Sequence, residues 1–152
     1  MVPKRVRINS HIVLMSYYPN IKTCINWYLD IDLCKQIDNV AEAFTVEKLK
    51  NMYNFLNKNG YVYYIKYDNR LCGDVTLQRS GEISIVISKE YQNKHIGRLV
   101  VGEIENIAKD LSYKKLIAKV YNFNNQSLKM FRHCGFITNR LENNVYHLLK
   151  EI

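Results

Sequence analysis

Between Glu82 and Leu99 the chain reads Glu-Ile-Ser-Ile-Val-Ile-Ser-Lys-Glu-Tyr-Gln-Asn-Lys-His-Ile-Gly-Arg-Leu. A short β-branched run leads into a basic turn, and the turn opens directly onto a helical pattern. The first turn of a helix has N–H groups without intrahelical partners and carries the positive end of the dipole, roughly half an elementary charge. A strand that feeds such a helix start through a short loop is a natural holder of phosphate. Any fold adopted by this chain must therefore place a buried strand end and a helix N-terminus side by side.

The rest of the pattern surrounds that unit. His11–Tyr17 reads as a first strand. Asn20 follows as an N-cap, and Ile21, Cys24, Ile25, Tyr28 and Leu29 recur at helical spacing. Thr45 caps a second helix with Val46, Leu49, Met52, Tyr53 and Leu56 on one face, closed by Asn59-Gly60. Two strands, 61–67 and 71–77, are joined by Asp68-Asn69, a pair that tolerates positive φ and suits a tight hairpin. Ser80-Gly81 turns the chain into the strand 82–87. A helix over 96–111 is expected to bury Leu99, Val100, Ile104, Ile107, Ala108 and Leu111. A strand at 116–121, a short helix capped by Asn124 or Asn125 and ending before Gly135, and a last strand at 145–149 complete the order. Hairpins leading into a β-α-β-α unit predict a mixed α/β (α+β) class around one central sheet.

At 152 residues the chain has the length of one ordinary domain, residues 1–152. The net charge of +8 permits a polyanionic partner. Lysine is nevertheless spread along the whole chain with no basic run or continuous basic helix face, so a solvated basic surface is the reading and no nucleic-acid partner is expected. Cys24, Cys34, Cys72 and Cys134 are far apart and form no Cys-x-x-Cys pair, which predicts reduced thiols and neither a disulfide framework nor a metal site. No apolar run approaches the ~18 residues that span a bilayer, and no apolar segment follows the basic N-terminus as in a signal peptide. A cytoplasmic protein with no membrane partner is expected.

Gln92-Asn-Lys-His-Ile-Gly97 resembles the Gln/Arg-x-x-Gly-x-Gly/Ala signature of the GNAT superfamily of N-acetyltransferases. The resemblance extends over the preceding strand and the helix after it. It continues through Asn124-Asn-Gln-Ser-Leu-Lys-Met-Phe-Arg-His-Cys-Gly-Phe136, similar to the family segment that runs from an asparagine through a serine and a tyrosine to Gly-Phe. Trp27-Tyr-Leu-Asp30 and Gly73-Asp-Val-Thr76 further resemble a bacterial group within the superfamily. The resemblance implies a mixed sheet of six to seven strands with about four helices, splayed between two parallel strands. It also implies transfer of an acetyl group from acetyl-CoA, as co-substrate and without a metal, to a primary amine of a small molecule or peptide. Members often dimerise, which leaves a homodimer open.

Carried onto this chain, the resemblance places the pantetheine arm against the backbone of Val86, Ile87 and Ser88. The pyrophosphate falls on Gln92, Asn93, Lys94, His95, Ile96, Gly97 and Arg98, and Asn124 bonds the pantetheine. Glu82 opens the strand where several members carry a catalytic glutamate, and Asp74 is a second candidate for the general base. His95 replaces the first glycine of the signature, and Phe131, counted with the cofactor-binding residues, stands at the position of the family tyrosine. Tyr121 or a water is left to act as the acid, and Tyr91 and His133 are weaker candidates. Lys119 occupies a position that is glutamate in some relatives that acetylate protein N-termini. Trp27, Tyr28 and Tyr64, among several aromatics of the first helices and hairpin, are candidates to line the acceptor pocket. The missing tyrosine motivates an alternative, a non-catalytic acyl-CoA-binding module.

Overall fold

The computed structural model describes residues 2–152. Strands β1 (Arg5–Arg7) to β5 (Ile83–Ile87) form one antiparallel sheet in the order β1-β2-β3-β4-β5, with β2 at Ile12–Ser16, β3 at Gly60–Tyr67 and β4 at Arg70–Gln78. A second sheet has the order β6-β8-β7, from β6 (Lys115–Tyr121), β7 (Ile137–Glu142) and β8 (Val145–Glu151). The mixed α/β arrangement is the expected one, and the expected splay between two parallel strands parts it into these two sheets. The two sheets meet at one parallel bridge, Glu82 with Ile117, where the Ile117 amide donates to the Gly81 carbonyl at 2.9 Å.

Two layers of helices cover the first sheet. Alternation along β3 sends Tyr63 and Ile65 to one face and Val62 and Tyr64 to the other, so a continuous apolar run buries both sides. On the first face lies α4 (Ile96–Asp110), which buries Ile96, Val100, Val101, Ile104, Ile107 and Ala108. Each large aliphatic side chain so buried contributes about 1.5–3 kcal/mol. Leu99, expected on that face, is exposed, because it shares the solvent stripe of Glu103 and Asn106. The helix α5 (Asn125–His133) adds Leu128 and Phe131 to the same core. On the second face lie α1 (Ile21–Cys24), its 3₁₀ continuation Ile25–Leu29, α2 (Ile31–Asp38) and α3 (Val46–Asn59).

Local chemistry sets the joints. Thr45 caps α3, its hydroxyl accepting from the Lys48 amide at 3.1 Å. Asn20 differs from expectation: its side chain makes no capping bond, and only its carbonyl accepts, from the Thr23 and Cys24 amides. Asp68 and Asn69 take φ of 46° and 66°, which fits the tight turn between β3 and β4. Three elements lie beyond those the sequence pattern predicts. Strand β1 is three residues with one apolar side chain and is held by pairing to β2. Strand β7 is exposed along its whole length, so it carries no burial alternation. The third is α2, whose role emerges at the site. No helix among the described residues is long and apolar enough to cross a membrane.

Candidate active site

Beyond the Glu82–Ile117 bridge, β5 stays paired with β4 while β6 turns to β8, and the gap between them opens into a cleft of about 480 Å³. Its walls are the outer edge of β5 at Ile85–Ile87, the turn into α4, the start of α5, and Leu33, Gln36 and Ile37 of α2. The gap-facing N–H and C=O groups of β5 beyond the bridge have no strand partner. Backbone groups of this kind demand hydrogen bonds, so the edge is a template for an extended amide-bearing ligand.

The turn holds its shape through backbone and side-chain hydrogen bonds. Tyr91 N–H donates to the Ser88 carbonyl at 2.9 Å, and the Gln92 amide side chain donates to the Ile87 carbonyl at 2.9 Å. Asn93 and His95 both adopt left-handed conformations, φ 62° and 61°. His95 replaces glycine there without losing the turn, because histidine enters this region more readily than most residues. As N-cap of α4 it makes no side-chain capping bond, so the first amides of the helix are left for an anion. A Cβ placed on Gly97 would meet its nearest neighbour, Ile87 Cδ1, at 3.5 Å; the position tolerates alanine. Gly73 does not. A Cβ there would stand 2.0 Å from the Val86 carbonyl oxygen, so glycine lets β4 press against the backbone that forms the cleft wall.

Of the residues singled out for cofactor binding, Val86, Ile87, Gln92, Asn93, His95, Ile96, Gly97, Arg98 and Asn124 come together around the cleft. Three do not. Lys94 lies over the Tyr67 ring, Ser88 is buried with its hydroxyl unpartnered, and Phe131 packs edge-on against Phe136 in the core. Asn124 also caps α5 by accepting from the Ser127 amide at 3.3 Å. At the cleft mouth the Arg98 guanidinium meets Nε2 of His133 at 2.7 Å, and Gln126 of α5 donates to the Asn93 side chain at 3.2 Å.

The acid–base candidates are dispersed. Glu82 is ion-paired with Lys119 at 3.1 Å, where β5 and β6 still touch. Tyr121 stacks on Phe123 and does not border the cleft. Asp74 lies behind the cleft wall, as the cross-strand partner of Val86, and is 3% exposed. Its Oδ2 accepts from the hydroxyls of Tyr28 at 2.6 Å and Tyr53 at 2.7 Å. Burial pushes the Asp74 carboxyl up to about 6 against the opposing pull of those two hydrogen bonds. The same burial, with Asp74 beside them, raises both tyrosines well above their ordinary range. Trp27, Tyr28 and Tyr64, read from sequence as acceptor-pocket residues, are buried instead. Tyr64 packs edge-on against Trp27 and Tyr53, and Tyr28 edge-on against Tyr53, inside the second core. Aromatic rings of this size gain more from mutual packing than from solvent.

The cleft wall that sequence reading missed is α2. Its signals were present. Asp30 caps it through the Asp32 and Leu33 amides, Leu33, Cys34 and Ile37 follow helical spacing, and Asn39 closes it at φ 58°. Across the gap, Lys35 of α2 lies over the Phe123 ring.

The model of the acetyltransferase (GNAT) family matches residues 24–136, three quarters of the chain and both halves of the cleft. The chain belongs to the GNAT family. No curated protein matches the sequence, but solved structures share the fold. A domain from Methanocaldococcus jannaschii superposes with a TM-score of 0.85 at 22% identity, covering 95% of this chain and 100% of its own. Spermidine N-acetyltransferase from Vibrio cholerae, in complex with CoA and spermine, gives 0.78 at 16% identity, covering 94% and 96%. The Salmonella typhimurium acetyltransferase that modifies the N-terminal serine of ribosomal protein L7/L12 gives 0.79 at 12%, covering 97% and 99%. Within this GNAT fold the splayed strands are β5 and β6.

Proposed function

We propose that the chain transfers an acetyl group from acetyl-CoA to a primary amine of a small molecule or peptide, by direct attack in a ternary complex. The observation that carries this reading is the cleft itself, with an unpaired β5 edge leading to an uncapped helix start. A pantetheine amide chain fits the edge at Val86 and Ile87, and a pyrophosphate fits the free amides from Asn93 to Arg98, with Asn124 opposite. Members of the fold bound to CoA, or acting on spermidine or a protein N-terminus, support an amine acceptor.

The roles of the chain's residues follow from their surroundings. Of the two candidate donors on β5, Val86 is turned toward its partner Asp74 on β4, so the gap-facing N–H of Ile87 meets the charge that develops on the acyl oxygen. Glu82 is engaged by Lys119. Asp74 has no cation beside it and a carboxyl poised near neutrality, so it takes the ammonium proton, through one water at Oδ1. The amine nitrogen bonds to the acyl carbon and the thiolate departs. With a thiol pKa near 8.5, a thiolate leaves acceptably near pH 7, and solvent protonates it, since Tyr121 does not border the cleft. Losing a dedicated acid costs typically ~10²–10⁴ in rate, which leaves activity measurable. Leu33, Gln36 and Ile37 of α2 form the acceptor side.

The burial of Phe131 in the core, with no hydroxyl to offer, favours a second reading, an acyl-CoA-binding module without turnover. Thiol release from acetyl-CoA across polyamines, aminoglycosides, amino acids and peptides, with products identified by mass spectrometry, separates the two. Release with an amine supports transfer. Binding without release supports the module, and a folded protein that binds no acyl-CoA overturns both.

A further inference from the structure

Two to four strands from the cleft, roughly 10–19 Å at 4.8 Å per strand, the other edge of the five-stranded sheet carries a recess of about 220 Å³. It shares no lining residue with the cleft. Arg7 of β1 pairs with Val13 of β2, and Val13 pairs with Lys66 of β3, so these side chains stand in a row on one face. Arg5 is two residues from Arg7 on that same face. A register shift in the β3–β4 pairing falls at Ile65/Lys66, an irregularity that locally redirects side chains. Val13 is the buried floor, and Arg5, Arg7 and Lys66 are the walls.

None of these three cations is ion-paired among the described residues. Arg7 spends one nitrogen on the Asn9 and Ser10 carbonyls, while Arg5 and Lys66 make no side-chain hydrogen bond among the described residues. The one carboxylate on the rim, Asp68, is held by His11 Nδ1 at 2.6 Å. Like charges on neighbouring strand positions repel one another. Here three are gathered around a concavity, with guanidinium and ammonium donors left over. An anion in the recess relieves the repulsion and uses the donors, and guanidinium forks match phosphate geometry. The volume lies below the ~300–1,000 Å³ of sites that enclose a whole small molecule, so it admits a headgroup only.

We propose that this recess binds a phosphate or diphosphate group whose remaining atoms lie outside it. The group belongs either to a free phosphorylated small molecule or to a nucleic-acid backbone. The test is site-resolved amide NMR of the full chain titrated at low salt with inorganic pyrophosphate and, separately, with a ten-residue thymidine oligonucleotide. Saturable shifts are expected at Arg5, Arg7, Val13 and Lys66, with affinity falling about tenfold in Arg5→Gln/Lys66→Gln. The control Lys58→Gln/Lys114→Gln removes the same charge from exposed sites elsewhere and is expected to leave the affinity unchanged. Tighter binding of the oligonucleotide with a steeper salt dependence assigns the group to nucleic acid; pyrophosphate binding as tightly assigns it to a small molecule. Shifts confined to Gln92–Arg98, no saturable shift at all, or equal weakening in both double variants would overturn the proposal. Wild-type shifts decide the matter even if the first variant does not fold. The outcome is independent of the cleft's function, because the two sites report at different residues.

Discussion

Asp74 is a buried carboxylate with two hydroxyl donors on a single oxygen and no cation beside it. Its folded-state value of about 6 lies above the ordinary 3.8, so ionising it opposes folding. The stabilising contribution is intact below pH 4 and is lost as the pH rises through 6, by about 3 kcal/mol in total. Urea unfolding is expected to show wild type losing about that much between pH 4 and pH 8 relative to Asp74→Asn. If Asp74 is the base, activity follows the deprotonated form and rises through pH 6. Asp74→Asn then abolishes that limb and lowers kcat/KM by ~10²–10⁴. Tyr53→Phe removes one of the two bonds that hold the carboxyl down. It is expected to move the limb to higher pH and to cost about 1.5–3 kcal/mol of stability where Asp74 is ionised. A limb that stays in place in the Tyr53→Phe rate profile, with the variant folded, would remove Asp74 from the proton path.

At the scale of elements, the cleft depends on two backbone features, the left-handed entry to α4 and the close approach of β4 to β5. His95→Gly relaxes the first and is expected to keep acetyl-CoA affinity within about threefold, since glycine is at ease at positive φ. His95→Val forces a β-branched residue into that conformation. It is expected to cost about 1–2 kcal/mol and to weaken acetyl-CoA about tenfold by calorimetry. Equal affinities in the two variants would show that the turn's conformation does not matter to the ligand. The second feature is tested by Gly73→Ala, whose methyl collides with the Val86 carbonyl. Opening β4 from β5 is expected to cost about 1–3 kcal/mol in denaturation and to displace the Val86–Ile87 edge. Glycine in a strand interior ordinarily weakens the strand, so a gain in stability on Gly73→Ala would refute this account.

For the whole molecule, the two sheets share one parallel bridge and a common apolar core, and the cleft lies where their strands part. Acetyl-CoA in that gap would be held by β5 of the first sheet on one side and by α5, which follows β6 of the second, on the other. At a hundred times Kd it adds about 2.7 kcal/mol to stability. For a chain of this length that corresponds to a rise in Tm of roughly 5–11 °C. Calorimetry with and without the ligand measures it, and an unchanged Tm at saturating ligand would contradict this mode of binding. Read alone, the sequence determines the parts whose information is local. Glycine, asparagine and threonine positions mark the joints, the 82–99 run specifies strand, turn and helix start, and the paired motifs are those of the family. It left open whatever depends on neighbours distant in the chain. Pairing turns Arg5–Arg7 into a strand, packing draws Trp27, Tyr28 and Tyr64 into the core, and crossing the gap makes α2 a wall. The Asp74 carboxyl becomes a candidate base only because residues 46 and 21 positions away bring it two hydroxyls and bury it. Local conformation is encoded in side-chain type and backbone freedom; burial, and the electrostatics that follow from it, exist only once the chain has packed.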